Sequence, residues 1–224
     1  MGTDVKRARI VIADDHSIIL AGIRNLVEQD CDVVGQTADG NSLVETALRL
    51  RPDLIILDIG MPMLNGIDAA RQIRKAWPEA RFLFLTMHNS PIYLQEAMRV
   101  GNASYVLKTS AAEELRPAVQ EALLGRAFIS GAFGRDALDL VRASQRRHAA
   151  PPRLTDRQRQ VLQLITEGHT NPQIANILKV SVKTVQFHRG EIMRRVGVHS
   201  AAQLAATAIK EGLVSDTVPS GPAS

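Results

Sequence analysis

Several things are scarce in this chain of 224 residues, and each scarcity narrows what the protein can be. There is one cysteine, Cys31, so neither an internal disulfide nor a cysteine-built zinc site can form. No apolar run approaches the roughly 20 residues that a membrane-crossing helix needs. No basic-then-apolar leader precedes a small-residue cleavage site. Gly2 stands where a myristoylated glycine would, but Lys6 occupies the place that motif reserves for Ser or Thr. These absences lead us to expect a cytoplasmic protein. The hydrophobic fraction of 45% and charged fraction of 22% are those of an ordinary globular protein, long enough for one or two domains.

The formal net charge of +4 conceals an uneven distribution. Residues 1–125 hold 13 Lys and Arg against 16 Asp and Glu, whereas residues 126–224 hold 14 against 7. An acidic half joined to a basic half suggests two tasks, the second involving nucleic acid.

The acidic half is organised around Asp58. Leu54 to Leu57 form a continuous apolar run leading into this carboxylate, and Gly60, Pro62 and Gly66 follow closely. Such a run bounded by turn residues reads as a strand buried on both faces, with Asp58 at its carboxyl end. Similar short runs end at Asp14-Asp15, at Thr86 and at Lys108, with a further strand at Val33 to Gln36. Between them lie amphipathic helices over about 16–29, 40–50, 67–77 and 92–100, and Ser110-Ala-Ala-Glu113 reads as a capping box opening a fifth. Five strands alternating with five helices spell an α/β fold with a doubly wound parallel sheet.

That fold would gather Asp14, Asp15, Asp58, Thr86 and Lys108 at one sheet edge. Clustered carboxylates repel one another unless a cation compensates, and oxygen ligands favour Mg²⁺ or Mn²⁺. With a hydroxyl at Thr86 and a point charge at Lys108, the set could accept a phosphoryl group on Asp58. Taken singly, Asp14 and Asp15 read more readily as helix caps, Thr86 as a strand-end residue and Lys108 as a solvated lysine, while helix capping is the lesser alternative for Asp58. A phosphatase with an aspartate nucleophile needs a second Asp two residues after the first, and that position is Gly60.

Residues 8–124 resemble a response-regulator receiver domain, through the acidic pair, Asp58-x-x-Met61-Pro62, Asn65-Gly66, Thr86 and Tyr105-x-x-Lys108. The resemblance implies that Asp58 takes phosphate from a sensor histidine kinase, that the protein is a phosphoacceptor rather than an enzyme, with at most slow self-dephosphorylation, and that Asp14, Asp15, Asp58 and the Gly60 carbonyl hold the metal. It further implies that Lys108 contacts the phosphoryl group and that Thr86 and Tyr105 are a switch pair, Tyr105 moving inward. Met87 is larger than the small residue often found beside the switch threonine, which bears on the dephosphorylation rate.

Residues 125–152 carry Gly, Pro and Arg clusters and read as a linker, with a short helix at about 135–143. Beyond it the pattern is helical. Thr155-x-x-Gln158, Thr170-x-x-Gln173 and Ser200-x-x-Gln203 are capping boxes, Ser181 is another N-cap, and helices follow at about 156–167, 171–178, 182–196 and 201–211. Lys179-Val180 makes the short turn of a helix-turn-helix. Residues 214–224 read as a disordered tail.

On the helix over 182–196, Val185, His188, Ile192 and Val196 share a face that should pack inward, His188 as a core histidine. Lys183, Gln186, Phe187, Gly190 and Arg194 share the opposite face. Gln186 and Phe187 are candidates for reading adenine and a thymine methyl, and Lys183, Thr184, Arg189, Arg194 and Arg195 for holding phosphates. Gly190 either lets DNA approach or has no special role.

Residues 152–213 are similar to the LuxR-type helix-turn-helix, so that almost the whole chain resembles a NarL/FixJ-type regulator. Gln158 replaces the usual Glu, Gln186 a common Lys, and Glu191 a common Asn. The resemblance implies double-stranded promoter DNA and RNA polymerase as partners, and a homodimer through the last helix at Leu204, Ala205, Ala208 and Ile209. A helix-turn-helix used mainly for protein contact is the alternative.

Overall fold

In the computed structural model every residue of β3 (Leu54–Asp58) is buried, with strands along both edges and apolar cores against both faces. The structure describes residues 7–87, 89, 91–133, 154–198 and 200–210. The five strands, β1 (Ala8–Ala13), β2 (Cys31–Thr37), β3, β4 (Phe82–Thr86) and β5 (Ala103–Leu107), are all parallel and run in the order β2-β1-β3-β4-β5. β2 begins at Cys31, two residues before the expected start, because β1 pairs with it from Ala8 onward.

Alternation along the pleat sends β3 side chains to two cores. Ile55 and Leu57 join Leu43, Ala47, Ile67 and Ile73 under α2 (Gly40–Leu50), α3 (Gly66–Ala76) and α4 (Pro91–Val100). Leu54 and Ile56 join Ile23, Val27, Leu115 and Val119 under α1 (Ser17–Val27) and α5 (Ala111–Leu123). The sheet is thus covered on both faces, as an all-parallel sheet requires. The capping box expected at Ser110 does not form: residues Lys108–Ser110 make a 3-10 turn, and the Ser110 side chain caps nothing.

The chain after α5 departs from a plain linker. β5 is an edge strand whose outer polar groups need partners, and residues 126–133 supply them. Tyr105 N–H donates to the Phe128 carbonyl at 2.8 Å, and Ser130 N–H donates to the Tyr105 carbonyl at 2.8 Å. The boundary expected at 125 therefore moves to Phe133, which is buried in the receiver core. The helix expected at 135–143 and the tail at 214–224 lie outside the described residues.

The second domain packs α6 (Asp156–Thr166), α7 (Asn171–Ile177), α8 (Val182–Val196) and α9 (Ala201–Lys210) around Val161, Leu162, Leu164, Ile174, Val185 and Ile192. The capping boxes at Thr155 and Thr170 form, and Ser181 caps α8. Gly197, at a φ of 74°, ends α8 in the left-handed conformation that glycine adopts without strain.

Candidate functional site

Strand register brings the acidic residues together. β1 and β3 pair with Ala13 opposite Leu57, so Asp14 and Asp58 emerge side by side at the carboxyl edge. Asp58 lies opposite Leu85, which places Thr86 beside it, and Thr86 opposite Leu107 brings up Lys108. Lys108 Nζ lies 2.6 Å from Asp14 Oδ2 and 3.2 Å from Asp58 Oδ2, bridging the two carboxylates.

Burial pushes the Asp58 carboxyl above its usual range, only partly opposed by Lys108, and Asp14 adds to the rise. For Lys108, burial alone would lower the pKa, but Asp58 and Asp14 more than reverse this, holding the ammonium above its ordinary value. The result is a buried cation shared between carboxylates that are together short of positive charge.

Asp14 Oδ2 and Asp15 Oδ1 are both buried. Lys108 Nζ lies 2.6 Å from the first and His16 Nδ1 2.9 Å from the second. Adjacent buried carboxylates, with Asp58 sharing Lys108 beside them, are a hard oxygen donor set of the kind that fits a divalent cation. His16 Nδ1 lies close enough to join Asp14 and Asp15 as a third donor, which the sequence reading did not include.

Tyr105 is fully buried and in hydrogen-bonding contact with Thr86. Burial, with smaller contributions from Tyr93 and Asp58, pushes its phenol far above the usual value. Its ring packs against Phe84 and Phe133 inside the receiver. Met87, the next residue after Thr86, is exposed.

On α8, Val185 and Ile192 face inward as expected, while Phe187 remains 65% exposed. Lys183, Gln186, Gly190, Arg194 and Arg195 are exposed too. Thr184 is partly engaged, its hydroxyl 2.8 Å from Ser181 Oγ, and Arg189 donates to Asn171 Oδ1 at 3.3 Å. Arg194 pairs with Glu191 at 2.7 Å, so part of its charge is spent within the helix. A Cβ at Gly190 would meet nothing within 4 Å, so packing inside the domain does not demand glycine there. His188 is half-buried against Phe187, with Nδ1 buried and lacking a partner among the described residues.

The expected dimer residues require a correction. Leu204 and Ala208 are fully buried in the core of their own domain, and cannot also cover a partner. Ala205 is half-buried, and the Ile209 side chain lies outside the described residues. The exposed residues of α9 include Ala202, Gln203 and Ala206 instead. A helix whose core-facing and outward residues are both small or apolar does not reveal its orientation by spacing alone.

One group of residues was missed entirely. Gln163 on α6 is buried against the loop that follows Asp58. It donates to the Met61 carbonyl at 2.9 Å and accepts from Asn65 N at 3.2 Å and Asn65 Nδ2 at 2.9 Å. Arg159 Nε donates to Asp68 Oδ1 at 2.7 Å, and Glu167 Oε1 accepts from Met63 N at 3.0 Å. The signal available was one polar residue inside Val161-Leu-Gln163-Leu-Ile165, an apolar run that leaves Gln163 needing buried partners.

Comparison with known proteins agrees with this geometry. The family described as response regulator receiver domain matches residues 10–120, and that of bacterial regulatory proteins of the luxR family matches 152–208. The chain is similar to the transcriptional regulatory protein MctR of Rhizobium johnstonii, 31% identical over 95% of this chain and 98% of that protein. It is 33% identical to the oxygen regulatory protein NreC of Staphylococcus epidermidis, over 92% of this chain and 99% of that one. Among solved structures it matches RcsB of Salmonella enterica serovar Typhimurium bound to promoter rprA with the phosphomimetic BeF3⁻, at 28% identity and a TM-score of 0.59, covering 90% and 98% of the two chains. The chain belongs to the two-component response regulators of the NarL/FixJ type, which join a receiver domain to a LuxR-type helix-turn-helix.

Proposed function

We infer that this protein is a DNA-binding transcription regulator switched by phosphorylation at Asp58. The observation that carries the reading is Lys108 bridging Asp14 and Asp58 at the buried carboxyl edge of the sheet. A family relative bound to promoter DNA in the presence of a phosphomimetic favours DNA readout over a helix-turn-helix used only for protein contact.

In the reaction an Asp58 carboxylate oxygen forms a bond to phosphorus while the donor's own bond to phosphorus breaks, the donor leaving with the electron pair. The donor is a phosphohistidine of a sensor kinase. Lys108 follows the charge onto the phosphoryl oxygens, and Thr86 supplies a hydroxyl. Asp14, Asp15, Asp58 and the Gly60 carbonyl would hold Mg²⁺ or Mn²⁺, which supplies charge neutralisation at the transferring group. No protein group acts as a turnover catalyst on a small-molecule substrate; the phosphoryl group ends on the chain itself. α8 then reads the major groove with Gln186 and Phe187, while Lys183, Arg189 and Arg195 hold phosphates. Two copies on a palindromic site would match the two-fold symmetry of such operators, and RNA polymerase is the expected downstream partner.

The test uses the full-length protein. Acyl phosphate with Mg²⁺ should label the wild type, and Asp58→Asn should abolish the label; label retained at another residue overturns the assignment. Footprinting on genomic DNA should show protected sites that sharpen on phosphorylation.

A further inference from the structure

His16 stands at a position that a helix normally uses for itself. It is the N-cap of α1, in extended backbone at φ −98° and ψ 109°. Ser, Thr, Asp or Asn at such a position accepts a hydrogen bond from the first turn, but the His16 side chain makes none. Its ring lies among the carboxylates instead, with Nδ1 2.9 Å from Asp15 Oδ1 and 3.3 Å from Asp14 Oδ1. The helix start forgoes a capping side chain, and the imidazole is held at the acidic pocket.

The two carboxylate oxygens of Asp14 are divided between neighbours. Oδ2 holds Lys108 Nζ at 2.6 Å, whereas Oδ1 accepts the His16 backbone N–H at 3.0 Å and meets the ring nitrogen. Leu20 N–H donates to the His16 carbonyl at 3.0 Å, so the His16 backbone is fixed at both ends. One donor atom from each of Asp14, Asp15 and His16 lies within 4.8 Å of the other two. The spacing suits ligands of one ion. Bonds of about 2.1 Å meeting at roughly 90–109° put two donor atoms about 3.0–3.4 Å apart, and the nitrogen-to-oxygen distances here are 2.9 and 3.3 Å. The His16 side chain is 65% exposed, so an ion reaches it from solvent without disturbing the sheet.

Carboxylates, carbonyls and water suit Mg²⁺, whereas an imidazole nitrogen favours first-row transition ions such as Zn²⁺. We propose that His16 is a ligand to the cation of this pocket and gives it a stronger preference for Zn²⁺ over Mg²⁺ than the carboxylates alone would. The proposal rests on the reading of Asp14 and Asp15 as metal-binding residues. Mg²⁺ dehydrates reluctantly and keeps oxygen ligands, so it gains little from the ring. Zn²⁺ takes nitrogen and oxygen donors together, so Asp14, Asp15 and His16 supply three ligands and water a fourth. The pocket then has two alternative occupants, and the identity of the cation becomes an input to the site that carries Asp58.

The test uses the full-length protein with isotope-labelled histidine, as wild type, His16→Ala, His16→Ser and Asp15→Asn. Mn²⁺ is bound first, and electron paramagnetic resonance follows its release as Mg²⁺ or Zn²⁺ is added; Asp15→Asn, which should not hold Mn²⁺, marks this pocket. Zn²⁺ should displace Mn²⁺ from the wild type at a concentration about tenfold or more lower than from His16→Ala, a scale typical of groups that support a bound metal. Mg²⁺ should displace it from both at nearly equal concentrations. In nuclear magnetic resonance the His16 Nδ1 signal, identified by its absence from His16→Ala, should move with Zn²⁺ and stay with Mg²⁺. His16→Ser restores a capping side chain, so it should melt no lower than the wild type and still lose the Zn²⁺ preference, which separates a metal role from helix stability. Equal Zn²⁺ displacement from wild type and His16 variants overturns the proposal, and so does an Nδ1 signal unmoved by Zn²⁺. If the wild type holds no Mn²⁺, or Asp15→Asn holds it equally well, it is the reading of the acidic pocket that falls, and this inference with it.

Discussion

Tyr105 and Phe133 meet edge to face, with ring centroids 5.1 Å apart and planes at 82°. The pair joins the residue hydrogen-bonded to Thr86 to the last described residue of the receiver. Phe133 therefore closes the edge of β5 over a residue of the phosphorylation pocket. Phe133→Ala should destabilise the receiver by about 3 kcal/mol, the scale for truncating a buried phenylalanine. Urea denaturation followed by circular dichroism would measure it, and an unchanged midpoint would show that residues 126–133 contribute little.

Lys108 compensates Asp14 and Asp58 at the same time. Removing one partner of a buried charged group leaves the others uncompensated, at a cost of about 3 kcal/mol. Lys108→Ala should therefore lower thermal stability, and millimolar Mg²⁺ should restore more stability to the variant than it adds to the wild type. Equal Mg²⁺ responses in the two proteins would argue against a metal at Asp14 and Asp15.

Glu167 makes stability depend on pH. Burial pushes its carboxyl above the usual value of 4.5, against hydrogen bonds from Gln163 and Met63 and the charge of His169, 3.5 Å away. A folded-state pKa raised above the unfolded one contributes stability that is full below pH 4.5 and is lost as pH rises through the raised value. Glu167→Gln keeps an acceptor for Met63 N–H but cannot ionise. Urea midpoints measured from pH 4 to 8 should fall for the wild type relative to the variant; parallel curves would refute the assignment.

The exposed face of α8 separates two kinds of DNA contact. Phe187→Ala, at an exposed side chain, should leave stability intact and reduce preference for the cognate site by about 1–3 kcal/mol. Lys183→Ala should weaken binding to all duplexes alike and lower the salt slope by about 1. Anisotropy titrations on cognate and scrambled duplexes across a salt series distinguish the two, and a uniform loss for Phe187→Ala would remove it from base readout.

How much was legible beforehand varied with the range of the interactions involved. Local signals settled most of the architecture. The apolar run from Leu54 to Leu57 required a doubly buried strand, the Thr155 and Thr170 boxes started helices where expected, and Val185 and Ile192 turned inward because a period of 3.6 leaves them no other face. The gathering of Asp14, Asp58, Thr86 and Lys108 was also legible, since parallel strands deliver all their carboxyl ends to one edge.

Contacts between segments distant in sequence were decided only by the tertiary structure. Residues 126–133 look like a linker, but β5 is an edge strand with unpaired backbone groups, and they satisfy it. Leu204 and Ala208 could have faced a partner or their own core, and only the packing of α9 on α6 chose the core. The placement of Asp58 at a strand end was written in its immediate neighbours. That its loop is held by Gln163, about a hundred residues further on, depends on how two domains meet, which no local periodicity records.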